Sequence, residues 1–450
     1  MTVTIETKEI DNKNEIIDDI SDNLDKRIKD MDEDKLAALR AKMSKTNETT
    51  STKILNRKER SINFGVVGTG QAGGRIAESF YKLGYVSVAI NTAKQDLSYI
   101  NIPDDCKFLI NYGLGGAAKD LSIGRDAAES VREELQEFFD SKISESEVNI
   151  LCLSLGGGSG AGSCETMVDL LSQTGKPLIV MAALPMNTDD TQTKVNSIET
   201  LALLAKFSQT RRIQNLIVVD NAKIESLLAD VSQLEFYGKA NDIIVEPLDV
   251  FNTLSSMASQ VKGLDSTEFS KILMDGEGLS VYGSFDVTNF DDQTAIAEAI
   301  ISNLSGNLLA TGFDIKQAKY VGALIVSNKS VAEKIPAVSI NYAMSMIDEY
   351  CNSPLGIFKG TYVIDMPENI VRVYSFFSGL GLPDSRVQQL KTESKAKLEA
   401  AKEKDKQRAL NLNIDTGNDA VSEAQKIKDK IAAKASPFAK FTQKVIDKRK

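Results

Sequence analysis

Two glycine-rich segments are the part of the sequence best suited to chemistry. They are GTGQAGG, residues 68–74, and GGGSGAG, residues 156–162, and each follows an apolar run and opens a helical pattern. The first amides of a helix lack intrahelical partners and the helix dipole is positive there, so such a turn suits a phosphate group. Each ordered glycine costs roughly 0.5–1 kcal/mol relative to alanine. We therefore expect the binding of a polyphosphate to offset the cost of this much glycine.

An acidic pair is the second chemical feature. Asp265 and Glu268 lie three residues apart in VKGLDSTEFSKIL, where a helix is predicted to begin. This spacing places both carboxylates on one helix face. They could orient a water molecule toward a phosphate, because phosphoryl transfer depends mostly on positioning and charge stabilisation. From these residues alone, simple compensation of the helix dipole is the favoured interpretation.

Two residue types limit the other possibilities. Histidine is absent, which excludes imidazole bases, Ser-His and Cys-His nucleophiles and histidine metal ligands. The cysteines, at positions 106, 152, 164 and 351, show no CxxC spacing and are predicted to be buried thiols in a reducing compartment. Catalysis must then use carboxylates, amides, hydroxyls, lysine, arginine or a carboxylate-held metal.

Composition indicates a large globular protein with an uneven charge. The chain has 450 residues, of which 42% are hydrophobic, enough for two or three domains. With no apolar run long enough for a membrane span and a polar, acidic amino terminus, we expect a cytoplasmic protein without membrane insertion. The net charge is -10, but residues 386–450 carry about +8. The acidic body argues against direct nucleic-acid binding except through this tail, which could bind an acidic partner or be only a solvated surface helix.

The element pattern predicts an α/β protein. From residue 61, short runs that are apolar at both parities alternate with helical segments, which is typical of a Rossmann-like parallel sheet. The segment from Leu279 to Leu382 predicts a smaller α+β domain, in which GTYVIDM and IVRVYSFFS form an antiparallel hairpin. The predicted divisions are a charged, partly helical and partly disordered extension (1–60), a nucleotide-binding domain (61–240), a central helix with the acidic loop (241–276), the α+β domain (277–383) and a basic helical tail (384–450).

The first glycine segment alone would also fit a dinucleotide, because it satisfies GxGxxG. A dinucleotide site needs an acidic residue at the end of the second strand, where this chain has Asn91 and Thr92. The second segment is not a Walker P-loop, since no Lys-Ser or Lys-Thr follows it. A dinucleotide oxidoreductase is therefore disfavoured.

Both segments and their surroundings resemble the tubulin/FtsZ superfamily of polymerising GTPases. GGGSGAG is similar to the family signature GGGTGTG, GQAGGRIA to the first tubulin loop, and GLGGAAKDLSIGRDAAES to the γ-phosphate-sensing loop and the helix after it. VVDNAKI resembles the segment that places an Asn on the nucleotide, and KANDII resembles the start of the central helix, where an Asn and an Asp contact guanine. The resemblance covers roughly residues 62–382. It implies the tubulin/FtsZ fold and a GTP or GDP site. The implied nucleotide-binding residues are Gly70, Gln71, Ala72, Gly73, Asn91, Thr92, Gly115, Gly116, Ala117, Gly156, Gly157, Gly158, Ser159, Gly160, Ala161, Gly162, Asp189, Asn221, Asn241 and Asp242.

The resemblance also gives the acidic pair a role. In the family this loop enters the nucleotide site of the next subunit, which implies that Asp265 and Glu268 position the attacking water, with Mg²⁺ as cofactor and no metal-ligating residue predicted in the chain. Glu268 stands where the family has Asp, and Gly263 where it has Asn. Asp189 has no accompanying arginine of the FtsZ pattern. Pro247 requires the central helix to bend or to begin later than KANDII implies.

The implied function is a GTP-hydrolysing protein that forms head-to-tail filaments, with each active site completed between subunits. A contact of this kind does not close on itself and gives an open polymer. A non-hydrolysing, GTP-bound scaffold is the alternative. The basic tail resembles that of plasmid- or phage-encoded tubulin relatives, which implies DNA positioning through an adaptor protein; FtsZ-type cell division stays open.

Overall fold

The computed structural model describes residues 59–411 except 291, 293, 306–311, 367 and 368. Most of the predicted amino-terminal extension and the tail beyond residue 411 lie outside the described residues. Packing divides the chain into two compact units. The first unit contains Asn63–Leu216 and the chain from Asp384 onward, and the second contains Ile217–Pro383 and the chain up to Ile62. The domain bounds expected from sequence stay predictions.

Strands and helices are numbered here in chain order. The strands are β1 (Phe64–Thr69), β2 (Val86–Asn91), β3 (Lys107–Leu109), β4 (Val148–Ser154), β5 (Leu178–Leu184), β6 (Asn215–Asp220), β7 (Leu279–Val287), β8 (Tyr320–Ser327), β9 (Gly356–Val363) and β10 (Val371–Leu380). The helices are α1 (Gly70–Lys82), α2 (Lys94–Ser98), α3 (Leu121–Glu129), α4 (Arg132–Lys142), α5 (Gly158–Gly162), α6 (Cys164–Gln173), α7 (Thr191–Gln209), α8 (Asn221–Leu227), α9 (Gln233–Leu254), α10 (Ser266–Met274), α11 (Ala295–Ser305), α12 (Lys329–Ala332), α13 (Ala337–Tyr350) and α14 (Asp384–Asn411). In the described part of the chain, no helix is both long and apolar enough to cross a membrane.

The first unit is built on a parallel sheet, as the sequence predicts. Its strands lie in the order β3-β2-β1-β4-β5, and each neighbouring pair is parallel. β1 and β5 are buried along their whole length, which explains why they are apolar at both parities. Because the strands are parallel, the loops after β1, β2 and β4 meet at one edge of the sheet.

The predicted hairpin between β9 and β10 is wrong. The second unit contains the strand order β7-β10-β8-β9, in which β10 is antiparallel to both β7 and β8, while β9 is parallel to β8. The amide of Ile364 still donates to the Ser327 carbonyl (3.0 Å) at the end of β8. The chain then passes the end of β8, where the side-chain amide of Asn328 donates to the Met366 carbonyl (3.3 Å). The connection thus carries β10 to the other side of β8.

The long helix α9 continues through Pro247. It begins at Gln233, with Ser232 as its N-cap, earlier than the KANDII segment predicts, so a later start is excluded. An interior proline removes one backbone hydrogen bond. The carbonyl left without its ladder donor is that of Ile243, and the Tyr282 hydroxyl donates to the neighbouring Ile244 carbonyl (2.9 Å).

The start of the predicted tail is a structural part of the first unit. Helix α14 packs against α7, where the Lys194 side chain is 1% exposed and its ammonium lies 2.7 Å from both the Glu393 carboxylate and the Asn187 carbonyl. The hydrogen bond from Lys194 lowers the pKa of Glu393. Arg386 is also buried and donates to the Pro185 carbonyl (2.9 Å). Two buried cations therefore hold this helix in place.

The cysteine prediction is confirmed for three positions. Cys152, Cys164 and Cys351 are buried free thiols, whereas Cys106 is only half-buried. Burial raises the pKa of Cys164 and Cys351 to about 12, so both are thiols at neutral pH.

Replacing Gly73 should destabilise the first unit, because a Cβ atom there would lie 2.1 Å from the Cys152 carbonyl oxygen of β4. We expect Gly73→Ala to lower the free energy of unfolding by roughly 1–3 kcal/mol. Gly238 is a matched control: it lies in α9, and a Cβ atom there would meet no described atom within 4 Å. Gly238→Ala should raise the free energy of unfolding by about 0.5–1 kcal/mol. Urea denaturation followed by circular dichroism measures both, and equal midpoints for Gly73→Ala and the unchanged protein would contradict the packing argument.

Candidate functional site

Two loops of the first unit and the segment after β2 meet at the carboxyl edge of the sheet. The loops are the first glycine loop (residues 68–74) and the second glycine loop (residues 156–162). Hydroxyl pairs join them, because the Thr69 and Ser163 oxygens lie 3.0 Å apart and the Thr92 and Ser159 oxygens 2.6 Å apart. The second glycine loop is thus linked to both neighbouring strands.

The backbones of the two glycine loops touch. A Cβ atom at Gly70 would lie 2.9 Å from the Gly160 nitrogen, and one at Gly160 would lie 2.8 Å from the Thr69 carbonyl oxygen. Gly70 also has φ +72°, a conformation that glycine adopts without strain. Similarly, a Cβ atom at Gly162 would lie 2.5 Å from the Leu121 carbonyl oxygen. Packing between loops is therefore a second reason for the glycine content, besides the expected approach of a ligand.

The two helices that follow these loops begin without a side-chain cap among the described residues. Thr69 precedes α1 and Gly157 precedes α5, and neither provides a capping oxygen. By contrast, Asp120 and Asp190 cap α3 and α7 of the same unit. The first amides of α1 and α5 therefore meet the requirement of a phosphate site, which needs donors that the protein itself does not occupy.

A third loop, residues 113–119, packs against the second glycine loop. Gly115 and Gly116 have φ +86° and +78°, and the Gly116 amide donates to the Thr92 carbonyl (3.0 Å). Ala118 and Lys119 also have positive φ, +46° and +63°. Such a conformation costs a non-glycine residue roughly 1–3 kcal/mol, so other contacts must hold this loop in place.

Helix α7 supplies such contacts. The Lys119 ammonium is hydrogen-bonded to the Asp190 carboxylate, and this bond, with the Thr193 amide, lowers the pKa of Asp190 to about 2. The Asn196 amide donates to the carbonyls of Lys119 (2.8 Å) and Gly156 (3.2 Å). Sequence reasoning missed all of these side chains. The only signal in the sequence is the polar first turns of α7, TQTKVNS, which are also typical of a solvated helix.

The structure brings together the predicted residues of these loops in the first unit: Gly70, Gln71, Ala72, Gly73, Asn91, Thr92, Gly115, Gly116, Ala117, Gly156, Gly157, Gly158, Ser159, Gly160, Ala161 and Gly162. Two predicted side chains have local partners. Asn91 bonds to Asp96 (3.1 Å) and to the Ala93 amide (3.1 Å). Asp189 accepts from the Met186 amide (2.8 Å) and so closes its own turn. Their contact with a nucleotide stays a prediction.

The remaining predicted nucleotide contacts belong to the second unit. Asn221 is the first residue of α8, and Asn241 and Asp242, the predicted guanine contacts, lie on α9. Asn241 is half-buried and Asp242 is exposed. The contact of all three with a nucleotide also stays a prediction.

The acidic pair of the second unit forms a capping box. The Asp265 carboxylate accepts from the Glu268 amide (2.8 Å), and the Glu268 carboxylate accepts from the Asp265 amide (3.1 Å). Asp265 remains exposed. The pair thus has a local structural role that the sequence analysis did not name, and the cap fixes both carboxylates at the start of α10.

The loop before this pair is fastened to β9. The Lys262 carbonyl accepts from the Thr361 amide (2.8 Å), and the Tyr362 hydroxyl accepts from the Leu264 amide (2.9 Å). Burial raises the pKa of Tyr362, so it is a neutral hydroxyl at physiological pH. Two contacts on one strand therefore hold the acidic pair at a fixed place on the second unit.

No protein metal centre is evident in the ranges that the structure describes. No three or more Asp, Glu or Cys side chains there are grouped to hold an ion. The donors at the glycine loops are amides and hydroxyls, so a magnesium ion would fit this site chiefly through the phosphates of a bound nucleotide.

Comparison with known proteins identifies the class. Residues 62–229 match the tubulin/FtsZ family GTPase domain, and residues 250–391 match the C-terminal domain of TubZ-like tubulin/FtsZ-like proteins. The chain is 25% identical over 323 residues to the tubulin-like protein CetZ of Pyrococcus abyssi, covering 70% of this chain and 85% of that protein.

Solved structures show the same fold. A GTPγS-form protofilament of Bacillus thuringiensis serovar israelensis TubZ superposes with a TM-score of 0.70 at 21% identity, over 80% of this chain and 97% of that one. A structure of the type III plasmid segregation protein TubZ gives 0.65 at 19% identity, over 77% and 95%. The fold is that of a nucleotide-binding cytoskeletal GTPase family. The chain belongs to the tubulin/FtsZ family, with a TubZ-like C-terminal domain.

The Lys119–Asp190 contact should be visible in a titration. Because the carboxylate is favoured in the folded state, its contribution to stability is present at neutral pH and is lost as the pH falls from about 4 toward about 2. Lys119→Met should raise the pKa of Asp190 toward its ordinary value, measured by NMR on protein with ¹³C-labelled aspartate. Lys82→Met removes a lysine that pairs with Glu78 instead and should leave the Asp190 value unchanged. An Asp190 pKa that is the same with and without Lys119 would contradict the contact.

Proposed function

We propose that this chain binds GTP on the three loops of its first unit and hydrolyses it within a head-to-tail filament. The observation that carries the proposal is the convergence of two uncapped helix starts and the strained loop 113–119 at one sheet edge. The amides of both glycine loops would bind the phosphates, and Gly115, Gly116 and Ala117 would meet the terminal phosphate. Mg²⁺ bound to the nucleotide would neutralise charge on the phosphate oxygens.

Among the described residues of the first unit, the charged pair beside loop 113–119, Lys119 with Asp190, is already joined internally. Asp265 and Glu268 of a second copy are the proposed groups for activating water, because they are held at the start of α10 and Asp265 is exposed. A carboxylate there could orient water in line with the terminal phosphate. Hydrolysis would then require assembly.

A non-hydrolysing, GTP-bound scaffold is the second candidate. The capping box favours it, because the acidic pair already has a complete structural role at α10. In that case GTP would hold filaments together without turnover.

For the cellular role we propose the positioning of DNA. The TubZ-like C-terminal domain supports this, since one structural relative is a plasmid segregation protein. The basic sequence after α14 would bind an adaptor protein on the DNA. A fluorescent fusion should form filaments that move or align with the replicon; a ring at the division site would instead support cell division.

Substitution of the acidic pair separates catalysis from capping. Asparagine caps a helix about as well as aspartate, so Asp265→Asn keeps the cap and removes the charge. We expect its GTP turnover to fall at least about a hundredfold, with thermal unfolding unchanged and filaments still formed with GTP. Asp265→Ala, which removes the cap as well, is the control and should also be less stable. Unchanged turnover in Asp265→Asn would refute a catalytic role, and no turnover in the original protein would support the scaffold.

Turnover should also depend on assembly. If the site is completed between subunits, phosphate release per molecule should rise with protein concentration and follow the pelleted fraction in sedimentation. Mixing Asp265→Asn protein into the original should lower turnover, because the variant subunits leave neighbouring sites incomplete. A rate per molecule that is constant across concentrations below and above assembly would contradict the shared site.

A further inference from the structure

A buried amide on α7 connects two of the nucleotide loops. Asn196 is 2% exposed, and its side-chain nitrogen donates to the carbonyl oxygens of Lys119 (2.8 Å) and Gly156 (3.2 Å). Because both partners are acceptors only, the amide must present its two N–H groups to them. Its oxygen accepts from Gln192 (2.8 Å) on the same helix, so both ends of the side chain are fixed.

The two carbonyls belong to different loops. Gly156 is the first residue of the second glycine loop, and its backbone is packed against α7, where a Cβ atom would lie 2.6 Å from the Thr193 carbonyl oxygen. Lys119 ends loop 113–119 and follows Ala118, and both have the left-handed conformation that non-glycine residues disfavour. One side chain therefore fastens a strained loop to a tightly packed one.

The other contacts of loop 113–119 do not replace this one. Its side-chain contact, from Lys119 to Asp190, joins two groups that are each about half exposed, where water weakens an ion pair. The Gly116 amide bonds to the Thr92 carbonyl in the middle of the loop. Asn196 is a buried side chain that bonds at the Lys119 end, which places it to decide whether the loop keeps its strained conformation.

We propose that Asn196 is a positioning residue that sets the preference of this protein for GTP over GDP. The inference rests on the proposed function, in which residues 115–117 meet the terminal phosphate. GDP lacks the terminal phosphate, so its binding would not depend on residues 115–117. Loss of the Asn196 bonds should therefore weaken GTP binding selectively, whereas a general weakening of the fold would affect both nucleotides alike.

The test compares the affinities of GTPγS and GDP for the full chain, at concentrations too low for filaments. Asn196→Asp keeps the shape but places a carboxylate against two carbonyls, and Asn196→Ala removes the donors without adding charge. In both Asn196 variants we expect the affinity for GTPγS to fall about tenfold, which corresponds to ~1.4 kcal/mol of binding free energy. The affinity for GDP should stay within about twofold of the original value. Asn149→Asp is the matched control. Asn149 is equally buried but bonds to Thr174 and Ser146 at the amino end of β4, so its GTPγS-to-GDP ratio should not change.

Three results would overturn the inference: unchanged GTPγS affinity in both Asn196 variants, equal losses for GTPγS and GDP, or a change of ratio in Asn149→Asp as large as in Asn196→Asp. Failure of both Asn196 variants to fold, with Asn149→Asp folded, would show a general structural role and would also overturn it. If the original protein binds neither GTPγS nor GDP, the proposed function fails instead. Measuring the original protein first separates this outcome from a failure of the inference about Asn196.

Discussion

The contact between the backbones of the two glycine loops is the constraint on which the site depends. Gly70 and Gly160 approach so closely that neither position has room for a Cβ atom, and the neighbouring strands β1 and β4 are in parallel register. Helices α1 and α5 must then begin side by side at one edge of the sheet. The first amides of both helices, to which no described side chain provides a cap, therefore lie close together, and such amides favour an anion. A side chain at Gly70 or Gly160 would therefore push the two helix starts apart, whether or not a ligand is bound.

Sequence reasoning predicted the elements that depend on local pattern. The parallel sheet follows from strands that are apolar at both parities, and the loops follow from glycine at strand ends. The β9–β10 hairpin was wrong because a short connection does not determine which strands pair. β10 has partners on both sides, and that pairing is a non-local property. Asn196 was missed for a related reason: its partners are main-chain carbonyls 77 and 40 residues away. Because every residue type has a main-chain carbonyl, the sequence does not show which residues accept such a hydrogen bond.

The capping box formed by the acidic pair is compatible with the catalytic role proposed for it. Capping uses one oxygen of each carboxylate for the first amides of α10 and removes the rotational freedom of both side chains. A group that must orient water gains from this restriction, because it then loses less conformational entropy when it acts. Glu268 forms its bond to the Asp265 amide through a side chain one methylene longer than aspartate. The cap therefore restricts the Glu268 side chain, which would otherwise be more mobile than the shorter aspartate that the family has at this position.

Helix α7 connects the nucleotide loops to the start of the tail. Its first turns hold Lys119 through Asp190 and Asn196, and its Lys194 lies buried between the Asn187 carbonyl and Glu393 of α14. A buried ammonium is tolerated only when its charge is paired and its donors are used, and removing one partner is strongly destabilising. Arg386 meets the same requirement at the Pro185 carbonyl. The turn before α7, which contains Pro185 and Asn187, is therefore held in place by α14. This turn leads directly into Asp190 and Asn196, which hold loop 113–119. Helix α14 is thus joined through α7 to the loop that we propose meets the terminal phosphate.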